Sequence, residues 1–182
     1  MTGFDAQPTL QGFDLKLAPL CEADRDEMIA AAGHREIWAG HPVPDRYRPD
    51  VFDPYFDLLL GLGGALSIRD DQTGEVIGTS AYYAAPDQGA GISIGYTFLT
   101  HTRWGGTTNF AVKRLMHGHA LKTTEHVWYH IAPTNFRSQK ATTRLGAEFK
   151  YDAVLNLTGS PTEFKCYSVS RDRWDRILKQ HS

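Results

Sequence analysis

Apolar and polar positions change their spacing several times along this chain, and each change marks a new element. Residues 13–17 alternate with a period of two, which predicts a first strand that Pro19 ends. Residues 22–32 predict a helix that turns Met28, Ile29 and Ala32 toward a core, with Gly33 closing it. Residues 34–48 follow neither period and include Pro42 and Pro44, so they predict a long irregular loop. Residues 54–60 predict a second, short helix stopped by the glycines that follow. Segments 65–69, 76–83 and 91–99 then predict an antiparallel meander, with turns at 70–74 and 86–89.

The pattern changes again beyond Leu99. Residues 92–99 are rich in β-branched and aromatic side chains, as in a buried strand. Residues 110–121 place Val112, Leu115, Met116, His119 and Ala120 on one helical face and turn Lys113, Arg114 and His117 outward. Between them lies Thr102-Arg103-Trp104-Gly105-Gly106-Thr107-Thr108-Asn109. A glycine pair lets backbone approach a ligand, and the helix behind it begins with free N–H groups and a partial positive charge. Strand, glycine loop and helix together predict a phosphate cradle. A second such unit follows: a strand at 127–131, a loop through Asn135 and Ser138, and a short helix ending at Leu145-Gly146. Two consecutive units imply parallel strands joined by a crossover. Segments 148–156 and 164–170 predict a closing hairpin, and Ser170 is placed to cap a last helix bearing Trp174, Ile177 and Leu178.

Composition narrows the functional classes. The 182 residues fit one domain spanning 1–182, and a net charge of −2 supplies no basic field for nucleic acid. No basic amphipathic segment points to a membrane surface, and no apolar run is long enough to span one. Cys21 and Cys166 lie far apart, and the first residues lack signal-peptide character, so a cytoplasmic chain with reduced thiols is expected. His117 and His119, two apart on a helix, do not make a metal pair, and no metal is expected.

Four pieces of sequence, in order, resemble the GNAT superfamily of acyl-CoA-dependent N-acyltransferases, in particular its RimJ/RimL-like branch. They are Ile94-Gly95-Tyr96, Trp104-Gly105-Gly106, Asn135-x-x-Ser138 with Leu145-Gly146-Ala147, and Tyr167-Ser168-Val169 followed by Trp174. The resemblance implies an α/β fold with a mixed, strongly twisted sheet flanked by helices. It also implies transfer of an acetyl group from acetyl-CoA to a primary amine of a small molecule or a protein N terminus. An acyl-CoA-binding sensor without turnover is the alternative, and a homodimer is compatible with either.

The same resemblance distributes roles. Arg103, Trp104, Gly105, Gly106, Thr107, Thr108 and Asn109 would hold the carrier's phosphates. Anchoring the family pattern on Arg103 brings Gly106 and Thr108 into its later positions, and anchoring on Trp104 brings Thr107 and Asn109. A main-chain N–H in the Phe98, Leu99, Thr100 stretch would face the developing oxyanion. Asn135 and Ser138 would line the pantetheine arm, with Ser138 steadying the leaving thiolate; both also read as helix caps. RimJ/RimL relatives often carry Glu just before Ile-Gly-Tyr, where this chain has Ser93, which cannot take a proton from an ammonium group. His130 and His101, titratable near neutral pH, are the candidate substitutes, and a water relay with no single base is the other reading. Trp38, His41 and Tyr47 in the 34–48 loop would border the acceptor, or else the loop is an ordered surface segment whose aromatics pack on the domain; Arg35, Arg46 and Arg48 there favour an anionic acceptor.

Overall fold

The alternation near the N terminus folds back on itself. In the computed structural model, which describes residues 3–88 and 91–180, β1 (Leu10–Gly12) and β2 (Leu15–Pro19) pair antiparallel. The turn between them consists of Phe13 and Asp14, both with positive φ, 58° and 56°. Phe13 therefore sits exposed in a turn and not in the expected strand. A 3₁₀ turn (Glu22–Asp24) leads into α1 (Arg25–Ala32), which buries Met28 and Ala32 as expected.

The segment read as an irregular loop contains a short helix, α2 (Arg35–Trp38), and the next helix starts early: α3 covers Pro49–Gly61. Pro49 occupies its first turn, where the missing N–H would have had no partner. Phe52, Phe56 and Leu59, spaced four and three apart, form its buried stripe. The meander is β3 (Ala65–Asp70), β4 (Val76–Tyr83) and β5 (Ile92–Leu99), followed by α4 (Thr108–Ala120), β6 (His126–Ile131) and α5 (Phe136–Arg144). The expected turn at 86–89 ends in Gly89, which lies outside the described residues. The chain closes with β7 (Glu148–Asn156), β8 (Pro161–Ser170) and α6 (Arg171–Gln180), and the Ser170 hydroxyl accepts the Arg173 N–H as a cap.

The eight strands form one mixed sheet in the order β1-β2-β3-β4-β5-β6-β8-β7. Among the described residues only β5 and β6 pair in parallel. One face packs α4 and α6 over Leu17, Leu66, Ile94, Val127, Tyr129 and Val169. The other packs α1, α2 and α3 over Ala65, Val76, Ala81 and Phe98. Each large apolar side chain buried this way contributes about 1.5–3 kcal/mol, so both faces are strongly specified.

One irregularity opens the sheet. Between the pairs Thr79↔Phe98 and Ala81↔Gly95, β5 uses one residue more than β4, and Tyr96 there has φ 53°. The bulge bends β5, and its pairing with β6 stops after Ser93↔Trp128. Beyond that point no ladder pair joins the two parallel strands, and a gap opens between them.

Candidate active site

The walls of the gap follow from strand alternation. The Thr100 N–H donates to the Ile77 carbonyl at 2.8 Å, and a Cβ on Gly78 would overlap the Phe98 carbonyl oxygen, so both residues turn their polar groups to β4. Leu99, between them, turns its own toward the gap. Its carbonyl accepts the Trp104 indole N–H at 3.0 Å. That leaves the Leu99 N–H, among the three expected positions, as the donor facing the gap.

Past β5 the chain makes a 3₁₀ turn (His101–Arg103) and then the glycine pair. Gly105 has φ 74°, a conformation costly for any side chain, and a Cβ at Gly105 or Gly106 would meet nothing within 4 Å. The loop is open on that side. Thr107 is the N-cap of α4 and makes no side-chain cap bond, so the first N–H groups of α4 are uncapped by it; Thr108 and Asn109 form its first turn. Arg103 is engaged elsewhere: it pairs with Asp70 at 2.6 Å and ties the loop to the end of β3. Across the mouth of the gap, the Arg137 guanidinium lies 4.6 Å from the Trp104 ring centre and donates to the Glu36 and Ile37 carbonyls of α2. Asn135 caps α5, accepting the Ser138 N–H at 3.1 Å, so the capping role is met and Ser138 stands in the first turn beside it.

On the opposite face, β6 alternation points His130 away from Val127, Tyr129 and Ile131. Its side chain is fully enclosed. Nδ1 lies 2.9 Å from the Tyr83 hydroxyl, and Nε2 lies 3.3 Å from Asp87 Oδ1, an ion-pair approach without hydrogen-bond alignment. The Asp87 carboxylate also accepts the Tyr151 hydroxyl at 2.9 Å and faces the Cys166 thiol at 3.9 Å. Burial holds His130 below the usual histidine range, against the opposing pull of Asp87. Burial also raises Tyr83 far above the tyrosine range and Cys166 to about 12, so both keep their protons at neutral pH. Asp87, His130 and Cys166 stand close enough together to be compared with a metal site. Their three ligand atoms all lie within 4.8 Å of one another. Gly95 makes the cluster possible: a Cβ there would come within 2.9 Å of the Tyr83 ring.

Tyr83 and Asp87 went unremarked in the sequence, since only strand register shows that β4 and its following turn reach His130. Ser93, where the resemblance implies Glu, is buried, and its hydroxyl has no partner among the described residues. His101 packs against His34, ring centres 4.0 Å apart, and none of its described contacts reaches Tyr83, Asp87 or His130.

The 34–48 segment packs more tightly than a lip. Trp38 is buried and donates its indole N–H to the Ala32 carbonyl at 2.9 Å, so it supports the site from behind. His41 and Tyr47 are half-buried, and burial lowers the His41 pKa to about 4 with help from Arg46. Arg48 pairs with Asp50 at 2.9 Å.

Under the bulge, the structure corrects the outward reading of α4. Lys113 and His117 are buried, whereas His119 is only partly covered. The Lys113 amine donates to Ser80 at 3.1 Å and Thr97 at 2.7 Å, and burial lowers its pKa to about 7. His117 bonds Tyr129 and lies against Trp174, its pKa lowered by burial to about 3.

A family description, Acetyltransferase (GNAT) domain, matches residues 14–148. No curated protein matches the sequence. Among solved structures, a GCN5-related N-acetyltransferase from Brucella melitensis shares the fold with a TM-score of 0.75 at 19% identity, over 95% of this chain and 83% of that one. A Mycobacterium smegmatis RimJ, solved in complex with CoA-disulfide, gives a TM-score of 0.64 at 16% identity, over 96% and 93% of the two chains. A Bacillus anthracis acetyltransferase of the GNAT family gives 0.68 at 8% identity, over 91% and 99%. With a mixed sheet parted between two parallel strands, and a family match over most of its length, the chain belongs to the GNAT acetyltransferases.

Proposed function

We propose that the protein transfers an acetyl group from acetyl-CoA to a primary amine of a small molecule or a protein N terminus. The observation that carries this reading is the gap between β5 and β6. On one face it has an open loop and an uncapped helix start; on the other it has the His130 cluster. The ordered motifs that resemble RimJ/RimL proteins support placement in that branch. The free cysteines, Cys21 and Cys166, suit a cytoplasmic setting.

The open space at Gly105 and Gly106 fits a carrier phosphate group, and the first N–H groups of α4 would hold it with the helix dipole aligned favourably. Acetyl-CoA supplies the thioester that the amine attacks. Leu99 N–H donates to the carbonyl oxygen as negative charge builds there. Asn135 and Ser138, at the start of α5, line the arm, and Ser138 steadies the departing sulfur. The Tyr83 hydroxyl, bonded to His130 Nδ1, relays the amine proton: its oxygen accepts that proton while its own passes to His130 Nδ1. Asp87 beside Nε2 then balances the imidazolium. Burial keeps His130 neutral at pH 7, the form able to accept.

The test is free-thiol release from acetyl-CoA across a panel of primary amines. Amine-dependent release with mass-verified N-acetyl product is expected. Acetyl-CoA binding without release for any amine would instead support the sensor.

A further inference from the structure

We infer that the amine acceptor carries a carboxylate, bound by Arg46 at the end of the acceptor wall remote from His130. This rests on the reading of Tyr83 and His130 as the proton-accepting end. Other guanidiniums on this face are matched by acids: Arg25 by Glu22, Asp53 and Asp57, Arg48 by Asp50, and Arg69 by Asp24 and Glu27. Arg46 is different. It is half-buried, and among the described residues no carboxylate pairs with it. Its guanidinium carbon lies 3.8 Å from the Tyr55 ring centre and 5.2 Å from that of Trp38. Nη1 is 3.4 Å from His41 Nε2, and Nε is buried with no partner. Two other cations nearby, Arg35 and Arg137, also have no acid partner among the described residues, but Arg35 is exposed to solvent and Arg137 donates to two carbonyls, whereas Arg46 is half-buried with neither.

Rings hold this cation in position without neutralising it. Cation–π contact offsets part of the lost hydration, but the fork of N–H donors still lacks an acceptor of opposite charge. The ring system runs on toward the reacting end. Tyr55 and Tyr96 both pack against the same apolar cluster. Tyr96 meets Tyr83 with ring centres 5.3 Å apart, and Tyr83 meets His130. Arg46 and the proton acceptor are thus separated by three tyrosines, Tyr55, Tyr96 and Tyr83. An α-amino acid, with one carbon between its amine and carboxylate, is too short to reach both. The arrangement selects an ω-amino acid or a short peptide, with apolar atoms between its two ends to lie along the rings.

The experiment compares 6-aminohexanoate with hexylamine, amines of equal length with and without the carboxylate. In the intact protein with saturating acetyl-CoA, kcat/KM for 6-aminohexanoate should exceed that for hexylamine by at least about tenfold. In Arg46→Met the preference should vanish through a higher KM for 6-aminohexanoate, with hexylamine kinetics and the KM for acetyl-CoA unchanged. Arg46→Lys should restore part of it. Equal kcat/KM for the two amines in the wild type, or an equal loss for both in Arg46→Met with the fold intact by circular dichroism, overturns the inference. Calorimetric binding of 6-aminohexanoate separates the two claims. If no amine is acetylated but binding is lost in Arg46→Met, the catalytic reading fails and this one stands. If 6-aminohexanoate does not bind the wild type, this one fails.

Discussion

Lys113 shows how one side chain departs from the pattern around it. By polarity it belongs on the solvent face of α4, and the sequence reads that way. In the fold it is enclosed beneath the β5 bulge, with two hydroxyls and no acid as partners. A lysine so placed gives up its proton early, at about 7 against 10.5 for the ordinary side chain. Between those values the unfolded chain holds more protons than the folded one, so folding stability rises with pH across that window. Below pH 7 the amine is charged in both states and its burial cost is felt in full. Lys113→Met removes the charge and keeps most of the length. By denaturant unfolding, the advantage of the variant over the wild type should shrink by about 4 kcal/mol between pH 7 and pH 10. Parallel stability curves over that range would show that Lys113 is not buried as described. No periodicity could have revealed this, because the hydroxyls that receive the amine come from β4 and β5.

At the level of elements, most of the structure was legible. The segments read as a meander became β3, β4 and β5, the strand–loop–helix order became the parallel pair, and Ser170 caps α6. Two regions were not. Phe13 looked like a strand residue because alternation says nothing of backbone hand, and its positive φ places it in a turn. Residues 35–38 form a helix too short to leave a periodic trace. The bulge at Tyr96 was equally hidden, yet it opens the gap. Of the candidate site, the positions of the loop and of His130 were readable in order along the chain; the contacts of His130 with Tyr83 and Asp87 needed the register. Arg103, expected at the phosphates, also pairs with Asp70, so the proposed carrier site would draw chiefly on backbone groups of the loop. Gly106→Val should therefore weaken acetyl-CoA binding about tenfold or more by calorimetry while leaving thermal unfolding nearly unchanged, because the added atoms meet only open space in the unliganded fold. Unchanged affinity would remove the loop from the carrier site.

The whole molecule is two cores back to back on one sheet, and the gap is the place where the faces communicate. The glycine loop leads into α4, which belongs to one face. The arginine and tyrosine wall, with His130 and Asp87, belongs to the other. Such an arrangement lets two substrates approach from opposite sides and meet where β5 and β6 part, which places the reacting groups without moving either core. Among the described residues no helix is long and apolar enough to cross a membrane.

The central claim is that an amine proton passes through Tyr83 to a neutral, enclosed His130. Its most direct test is the pH dependence of kcat/KM in the wild type, in His130→Asn and in Tyr83→Phe, with one acetylated amine. The amine contributes its own rise at high pH in all three. In the wild type a second ascending limb should lie below the ordinary histidine value of 6.5, where burial places this imidazole. That limb should disappear in His130→Asn, with activity lower by about 10²- to 10⁴-fold, and Tyr83→Phe should show a loss of similar kind. A low-pH limb that survives unchanged in both variants, with activity near wild type, would contradict the account.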